Sequence, residues 1–262
     1  MINYVERLMY APTIDEAWKA LTDRLQELGV PYAHYALARV LDSHAERLCT
    51  DAITLSNLEP ELQDRLSDPE YVATAPTVRW LHEHSGIITW DWVRERHARG
   101  LLTSAEEQAF TSLAQSGFQA GYAIGMAGIA PRLNGGIAIY GPRGMTQDEM
   151  DRIWRRHGRE IVALVGLAHM RFASLPSNLA LDQLTPRQRE ALEWVSHGKS
   201  NQEIARIMQL SPVTVEKHLR LARQALGVRT TAQAVILAMA RNQIFIGDRK
   251  PPQTALPLLQ LV

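Results

Sequence analysis

From residue 198 to residue 218 the chain reads Gly198-Lys199-Ser200-Asn201-Gln202-Glu203-Ile204-Ala205-Arg206-Ile207-Met208-Gln209-Leu210-Ser211-Pro212-Val213-Thr214-Val215-Glu216-Lys217-His218. Ser200 and Glu203 have the spacing of a capping box, in which each residue satisfies a free backbone N–H of the other. Ile204, Ala205 and Ile207 follow as the apolar side of a short helix. Gln209-Leu210-Ser211 reads as a turn. Ser211 then caps a third helix, with Pro212 at its first position, where a missing N–H costs nothing. In that helix Val215, Leu219, Ala222 and Leu226 recur at helical spacing as one buried stripe, and Gly227 closes it.

Two more helices flank this pair. Thr185, Pro186 and Gln188 open one that runs through Leu192 and Val195 to Gly198. Thr230 and Gln233 open another, carrying Val235, Ile236, Ala238 and Met239. Two helices joined by a tight turn inside a four-helix unit form a helix-turn-helix. Its third helix is shaped for a major groove. The outer side of that helix offers Thr214, Glu216, Lys217, His218, Arg220 and Arg223, with Lys199 nearby. Lys and Arg neutralise phosphates, Arg binds guanine in a bidentate way, and Glu accepts from cytosine N4.

Charge points the same way. The 262-residue chain has a formal net charge of zero, but unevenly spread: residues 1–181 hold 17 Lys+Arg against 22 Asp+Glu, a net −5, and residues 182–246 hold 9 against 5, a net +4. A basic unit on an acidic body suits a polyanionic partner, double-stranded DNA. With 46% hydrophobic residues the chain buries a proper core. Cys49 is the single cysteine, so neither a disulfide framework nor a cysteine-based zinc cluster is expected. No signal peptide is read at the N-terminus, and no window reaches the ~18 uninterrupted apolar residues of a membrane helix. A cytoplasmic protein without membrane contact, metal or cofactor is expected. There is no nucleophile elbow, phosphate loop or paired-carboxylate motif, so catalytic residues are not assigned.

The run from Leu184 to Glu190, with Gly198 to Ala205, Ser211 to His218 and Leu226-Gly227-Val228-Arg229, resembles the LuxR-type helix-turn-helix over roughly residues 184–241. The resemblance implies DNA binding as a homodimer on a two-fold site, with the fourth helix dimerising. Glu216 departs from the family, where the residue after the Thr-Val pair is often basic.

The N-terminal part alternates helix and strand patterns: a helix over Asp15–Leu28, strands at Tyr32–Leu41, Gly121–Ile129 and Gly136–Tyr140, helices at Thr77–His84 and Ser104–Ser116, and a long helix over Thr146–Phe172. The fold class expected is an α/β domain, a central sheet sandwiched by helices, followed by the all-α four-helix unit. The boundaries read as a sensory domain over 1–172, a linker over 173–183, the DNA-binding domain over 184–246 and an irregular tail over 247–262.

In length, element order and two stretches, Ala75-Pro76-Thr77-Val78-Arg79 leading to Thr89-Trp90 and Gly117-Phe118-Gln119-Ala120-Gly121, residues 1–172 are similar to the acyl-homoserine-lactone-binding domain of quorum-sensing regulators. In that family an Asp-Pro pair lies fifteen residues before the tryptophan matched by Trp90, and its Asp accepts the ligand's amide N–H. Ala75-Pro76 occupies that place here. The family's Trp that donates to the lactone carbonyl falls at Leu62, and its Tyr beside the acyl chain at Leu66. An unpaired buried amide costs roughly 1–3 kcal/mol, so these losses together cost a hundredfold or more in affinity. A rival alignment uses Asp68-Pro69 and needs seven more residues before Trp90; its other reading is a helix-terminating turn. Ligand-lining candidates are Tyr35, Leu62, Leu66, Ala75, Trp90 and Gly121, with Trp80, Trp92, Tyr122 and Tyr140 as further aromatic candidates.

The implied function is a LuxR-type regulator that does not depend on a typical lactone: it binds another, small apolar ligand, or none. The alternatives are a lactone receptor using Asp68, and a protein-interaction module pairing with another regulator. Dimer surfaces are expected on the face from Met150 to Ile161 and around Val235 and Met239.

Overall fold

The computed structural model describes residues 1–39, 52–127, 129, 133–175 and 184–244. The chain divides into two compact units, Met1–Ser177 and Asn178–Val262.

The first unit is built on a five-stranded sheet in the order β2-β1-β5-β4-β3, with every neighbouring pair antiparallel. The strands are β1 (Tyr32–Arg39), β2 (Ala52–Ser56), β3 (Ser85–Thr89), β4 (Gly121–Met126) and β5 (Leu133–Tyr140). Three helices, α1 (Ile2–Tyr10), α2 (Ile14–Glu27) and α8 (Gln147–Ser174), contribute to the larger core on one face. On the other side lie α3 (Pro60–Leu66), α4 (Pro69–Thr74), α5 (Pro76–Glu83), α6 (Trp90–Ala98) and α7 (Ser104–Gln115). Thr146 and Glu149 form the expected capping box at the start of α8.

Strand alternation divides the residues between two cores. Ala33, Tyr35, Leu37, Tyr122, Ile124, Met126, Ile137 and Ile139 pack toward α2 and α8. The opposite side of β4 and β5 is paved with small residues, Gly121, Ala123, Gly125, Gly136 and Ala138, and large side chains come down onto it. A Cβ at Gly121 would stand 3.1 Å from Trp90 Cε2, and one at Gly125 would stand 3.1 Å from Trp80 Cζ3. A Cβ would also meet neighbouring backbone, the Ile139 carbonyl oxygen at 2.4 Å from Gly121 and the His84 carbonyl oxygen at 2.2 Å from Gly125, so both backbone and indole leave room only for glycine.

Two expectations are corrected. Ala173 and Ser174, read as linker, are the last residues of α8. Met150 and Ile161, read as part of a dimer surface, are fully buried in the larger core of their own unit. That stripe is the side of α8 that holds the sheet. The remaining linker residues 176–183 and the tail 247–262 lie outside the described residues, as does the end of the strand expected to reach Leu41.

The second unit holds α9 (Pro186–Ser196), α10 (Asn201–Met208), α11 (Pro212–Ala225) and α12 (Thr231–Ala240). Thr185/Gln188, Ser200/Glu203 and Thr230/Gln233 form capping boxes, and Ser211 accepts from Thr214 N. Gln209, at φ 55°, turns the chain between α10 and α11 in the left-handed region. Val215, Leu219, Ala222 and Leu226 are buried, with Ile204, Ala205, Leu192 and Ala238, in one core.

Candidate nucleic-acid interface and sensory cavity

Burial of the 215–219–222–226 stripe fixes which side of α11 faces outward. Glu216, Lys217 and Arg220 are exposed, while Thr214, His218 and Arg223 are half-buried. Lys217 and Arg220 make no side-chain hydrogen bond or ion pair among the described residues, so both cations are available to an anionic partner. Lys199, at the start of α10, stands 4.0 Å from Glu203. Thr214 shares a 2.8 Å hydroxyl bond with Ser211 at the helix cap.

Glu216 and Arg223 have a more particular arrangement. Arg223 donates to Glu216 at 3.0 Å and to the Thr231 hydroxyl of α12 at 2.8 Å. Asn201 of α10 donates to the second Glu216 oxygen at 3.0 Å. The Arg223 guanidinium therefore holds the Glu216 carboxyl below the usual carboxylate range, and Asn201 adds to the effect. The acidic residue that departs from the family pattern is the hub of a bracket joining α10, α11 and α12. Arg223, expected to support DNA contact, is engaged inside the domain.

In the first unit, a cavity of about 170 Å³ lies between α4, α6 and α7, walled by Tyr71, Pro76, Trp90, Phe110, Leu113 and Phe118 among others. Trp90 packs edge-on against Tyr140 at 5.4 Å, and Tyr140 against Phe118 at 5.4 Å. The polar side chains at this wall belong to Tyr71, Thr77, Trp90, Arg94 and Gln119. Trp90 Nε1 is buried with no hydrogen-bond partner among the described residues. Arg94, at the wall, is bonded to Asp91 and to the Gln119 carbonyl. Burial pushes the Tyr71 hydroxyl up to about 12, so it is neutral at ordinary pH.

Of the six ligand candidates, only Trp90 lines the cavity. Leu62 and Leu66 are buried in the same apolar cluster as Trp90. Ala75 is buried between α4 and α5, its N–H donating to the Tyr71 carbonyl at 2.7 Å and its own carbonyl accepting from Arg79. Gly121 lies under Trp90, its N–H donating to Gln147 at 3.1 Å. Tyr35 is on the opposite face of the sheet, its hydroxyl 3.0 Å from His169 Nδ1 and its ring against Phe172. Sequence alternation defines two strand faces but not which one meets the cavity. Tyr122 stacks on Trp154, also on the α8 side, and Trp80, Trp92 and Tyr140 do not line the cavity either. Phe118 lies in the Gly117–Gly121 stretch but is not among the ligand candidates, and Phe110, Leu113 and Tyr71 look in sequence like ordinary core.

Asp68 does not face the cavity. It is exposed and opens α4, its carboxylate accepting from Glu70 N at 2.9 Å and Tyr71 N at 3.2 Å. The Asp68-Pro69 pair starts a helix, so the alignment that would hand this carboxylate to a ligand amide finds no support in the geometry.

Residues 13–172 match the family described as autoinducer binding domain, and residues 182–238 match bacterial regulatory proteins of the luxR family. Transcriptional activator protein AnoR of Acinetobacter nosocomialis is 26% identical over 235 residues, 86% of this chain and 90% of that protein. Transcriptional activator protein BjaR1 of Bradyrhizobium diazoefficiens is 38% identical over 84 residues, a match that spans 32% of this chain and 35% of BjaR1. The crystal structure of Escherichia coli SdiA superposes with a TM-score of 0.53 at 17% identity, covering 93% of this chain and 97% of that one, a likeness of fold. No helix among the described residues is long and apolar enough to cross a membrane. Matched over both of its units, the chain belongs to the LuxR family of bacterial transcriptional regulators: it is a DNA-binding regulator with an autoinducer-binding domain, and not an enzyme.

Proposed function

We propose that this regulator binds a two-fold DNA site as a homodimer through α11, and that it does so without depending on a typical acyl-homoserine lactone. Its sensory domain holds either a small apolar molecule or none. The observation that carries this is the chemistry of the cavity face. Indole rings fill the space beside Gly121 and Gly125, Leu62, Leu66 and Ala75 present no hydrogen-bonding side chain, and the cavity beside Trp90 measures about 170 Å³. Ligand pockets usually enclose ~300–1,000 Å³, whereas a dry apolar cavity of ~150 Å³ takes a molecule the size of benzene. A lactone amide placed here would lose its water, and the charged group at the wall, Arg94, is already bonded to Asp91 and to the Gln119 carbonyl.

Dimerisation is supported by Ile236 and Met239 of α12, 59% and 36% exposed, and by the need to place two α11 helices ~34 Å apart along the duplex.

The test is thermal unfolding of the purified protein against a panel of lactones with short and long acyl chains. A ligand at a hundred times its dissociation constant stabilises a fold by about 2.7 kcal/mol. No lactone should produce such a shift. A lactone that does, in wild type and in Asp68→Ala alike, returns the protein to the lactone receptors; loss of the shift in Asp68→Ala would restore the Asp68 reading.

A further inference from the structure

Val213 is 80% exposed, more than any other large apolar side chain among the described residues. It is the second residue of α11, and nothing in the folding of that helix calls for a valine there. Ser211 already caps the first turn and Pro212 already sets its first φ. Valine is a poorer helix former than the residues common at exposed helical positions. It touches no core: the buried side of α11 is the 215–219–222–226 stripe. Val213 belongs instead to the opposite stripe, with Glu216, Lys217 and Arg220 three, four and seven residues on. These side chains and Pro212 border one shallow depression.

We infer that Val213 is a specificity-determining residue that packs against the 5-methyl group of a thymine in the operator. The inference rests on the reading that α11 enters the major groove. Residues in the first turn of such a helix reach base edges, and the thymine methyl is the apolar feature those edges present.

Charge decides between DNA and an apolar protein partner. Glu216 is offset by Arg223 at 3.0 Å and attracted more weakly by Arg220, so the field around Val213 is set by Lys217 and Arg220, neither of which forms an ion pair among the described residues. An apolar protein surface seated on Val213 would strip water from both cations and give nothing back. A duplex gives each of them a phosphate or a guanine edge while the methyl covers the valine.

The test starts from a duplex selected from a random pool by the wild-type protein. Each thymine is replaced in turn, together with its two-fold mate in the other half-site, by deoxyuridine, which removes the methyl and leaves the pairing edge intact. At one position per half-site, wild type should lose about sixteenfold in affinity, roughly fourfold for each of the two buried methyls. Val213→Ala should lose a similar factor on the thymine duplex and nothing further on the deoxyuridine duplex. Arg220→Ala serves as the control for the groove reading. If Arg220→Ala binds as wild type, α11 does not read this DNA and the inference falls with that reading. If Arg220→Ala is weakened but deoxyuridine is neutral at every position, or Val213→Ala loses equally on both duplexes, the thymine contact alone is overturned.

Discussion

The Arg223 guanidinium donates to the Glu216 carboxylate at 3.0 Å across two turns of α11, and reaches Thr231 of α12 with its other nitrogen. The carboxylate thereby cancels a cation on the side of the domain that would face DNA. Glu216→Gln should remove one negative charge and strengthen non-specific DNA binding. The dependence of affinity on salt should steepen by about one charge. Fluorescence anisotropy over a salt series measures both; unchanged affinity and slope would show that Glu216 lies away from the phosphates.

The same bracket contributes to stability, modestly because it is partly exposed. A double-mutant cycle on Glu216→Ala and Arg223→Ala should give a coupling of about 0.2–1 kcal/mol in chemical denaturation of the protein. Additive effects would mean that the pair does not form in solution.

The glycine–tryptophan fit ties α6 closely to the sheet. Besides its contact with Trp90, a Cβ at Gly121 would stand 2.4 Å from the Ile139 carbonyl oxygen, a distance that forces the backbone to move. Gly121→Ala should cost about 1–3 kcal/mol. Trp90→Ala should cost about 3–5 kcal/mol and enlarge the cavity. Equilibrium unfolding in urea measures both, and a neutral Gly121→Ala would show that the sheet and α6 are not packed as described.

His34 and His169 make the first unit sensitive to acid. Burial lowers each to about 4 from an ordinary 6.5. His34 Nδ1 and His169 Nε2 are buried without partners among the described residues. Both stay neutral in the folded state while the unfolded chain takes up protons below pH ~6.5. Their contribution is therefore complete above that pH and declines as pH falls toward 4, by about 1.4 kcal/mol per pH unit for each histidine. His34→Val should cost little at pH 7.5, because it removes an unpaired polar atom. It should also flatten the fall of melting temperature between pH 6.5 and 4.5. A slope equal to that of wild type would show that His34 is hydrated in solution.

How much of this was legible in the sequence differs between the two units. In the second, local signals agree: Thr185, Ser200, Ser211 and Thr230 each start a helix where the sequence places one. Capping chemistry acts over three residues and can be read without knowing the fold. In the first unit the sequence reading does not contain β2, β3 or the helices α1, α3, α4 and α6, since five to nine residues carry too little periodicity. The misplacement of Tyr35 and of the Met150–Ile161 stripe has one cause. Sequence marks an apolar face, but what covers that face is settled by contacts far along the chain. The Glu216 bracket was equally hidden, because Asn201 and Thr231 come from other helices.

Whether DNA binding needs a lactone is read most directly from the operator affinity of protein produced in a host that makes no lactone. The duplex is one selected from a random pool, and binding is followed by gel shift with and without each member of the lactone panel. The protein should be soluble and bind the duplex, with an affinity that no lactone changes by more than about twofold, a free-energy difference of ~0.4 kcal/mol. Binding that appears only when a lactone is added, or rises tenfold or more with one, would contradict lactone-independent binding.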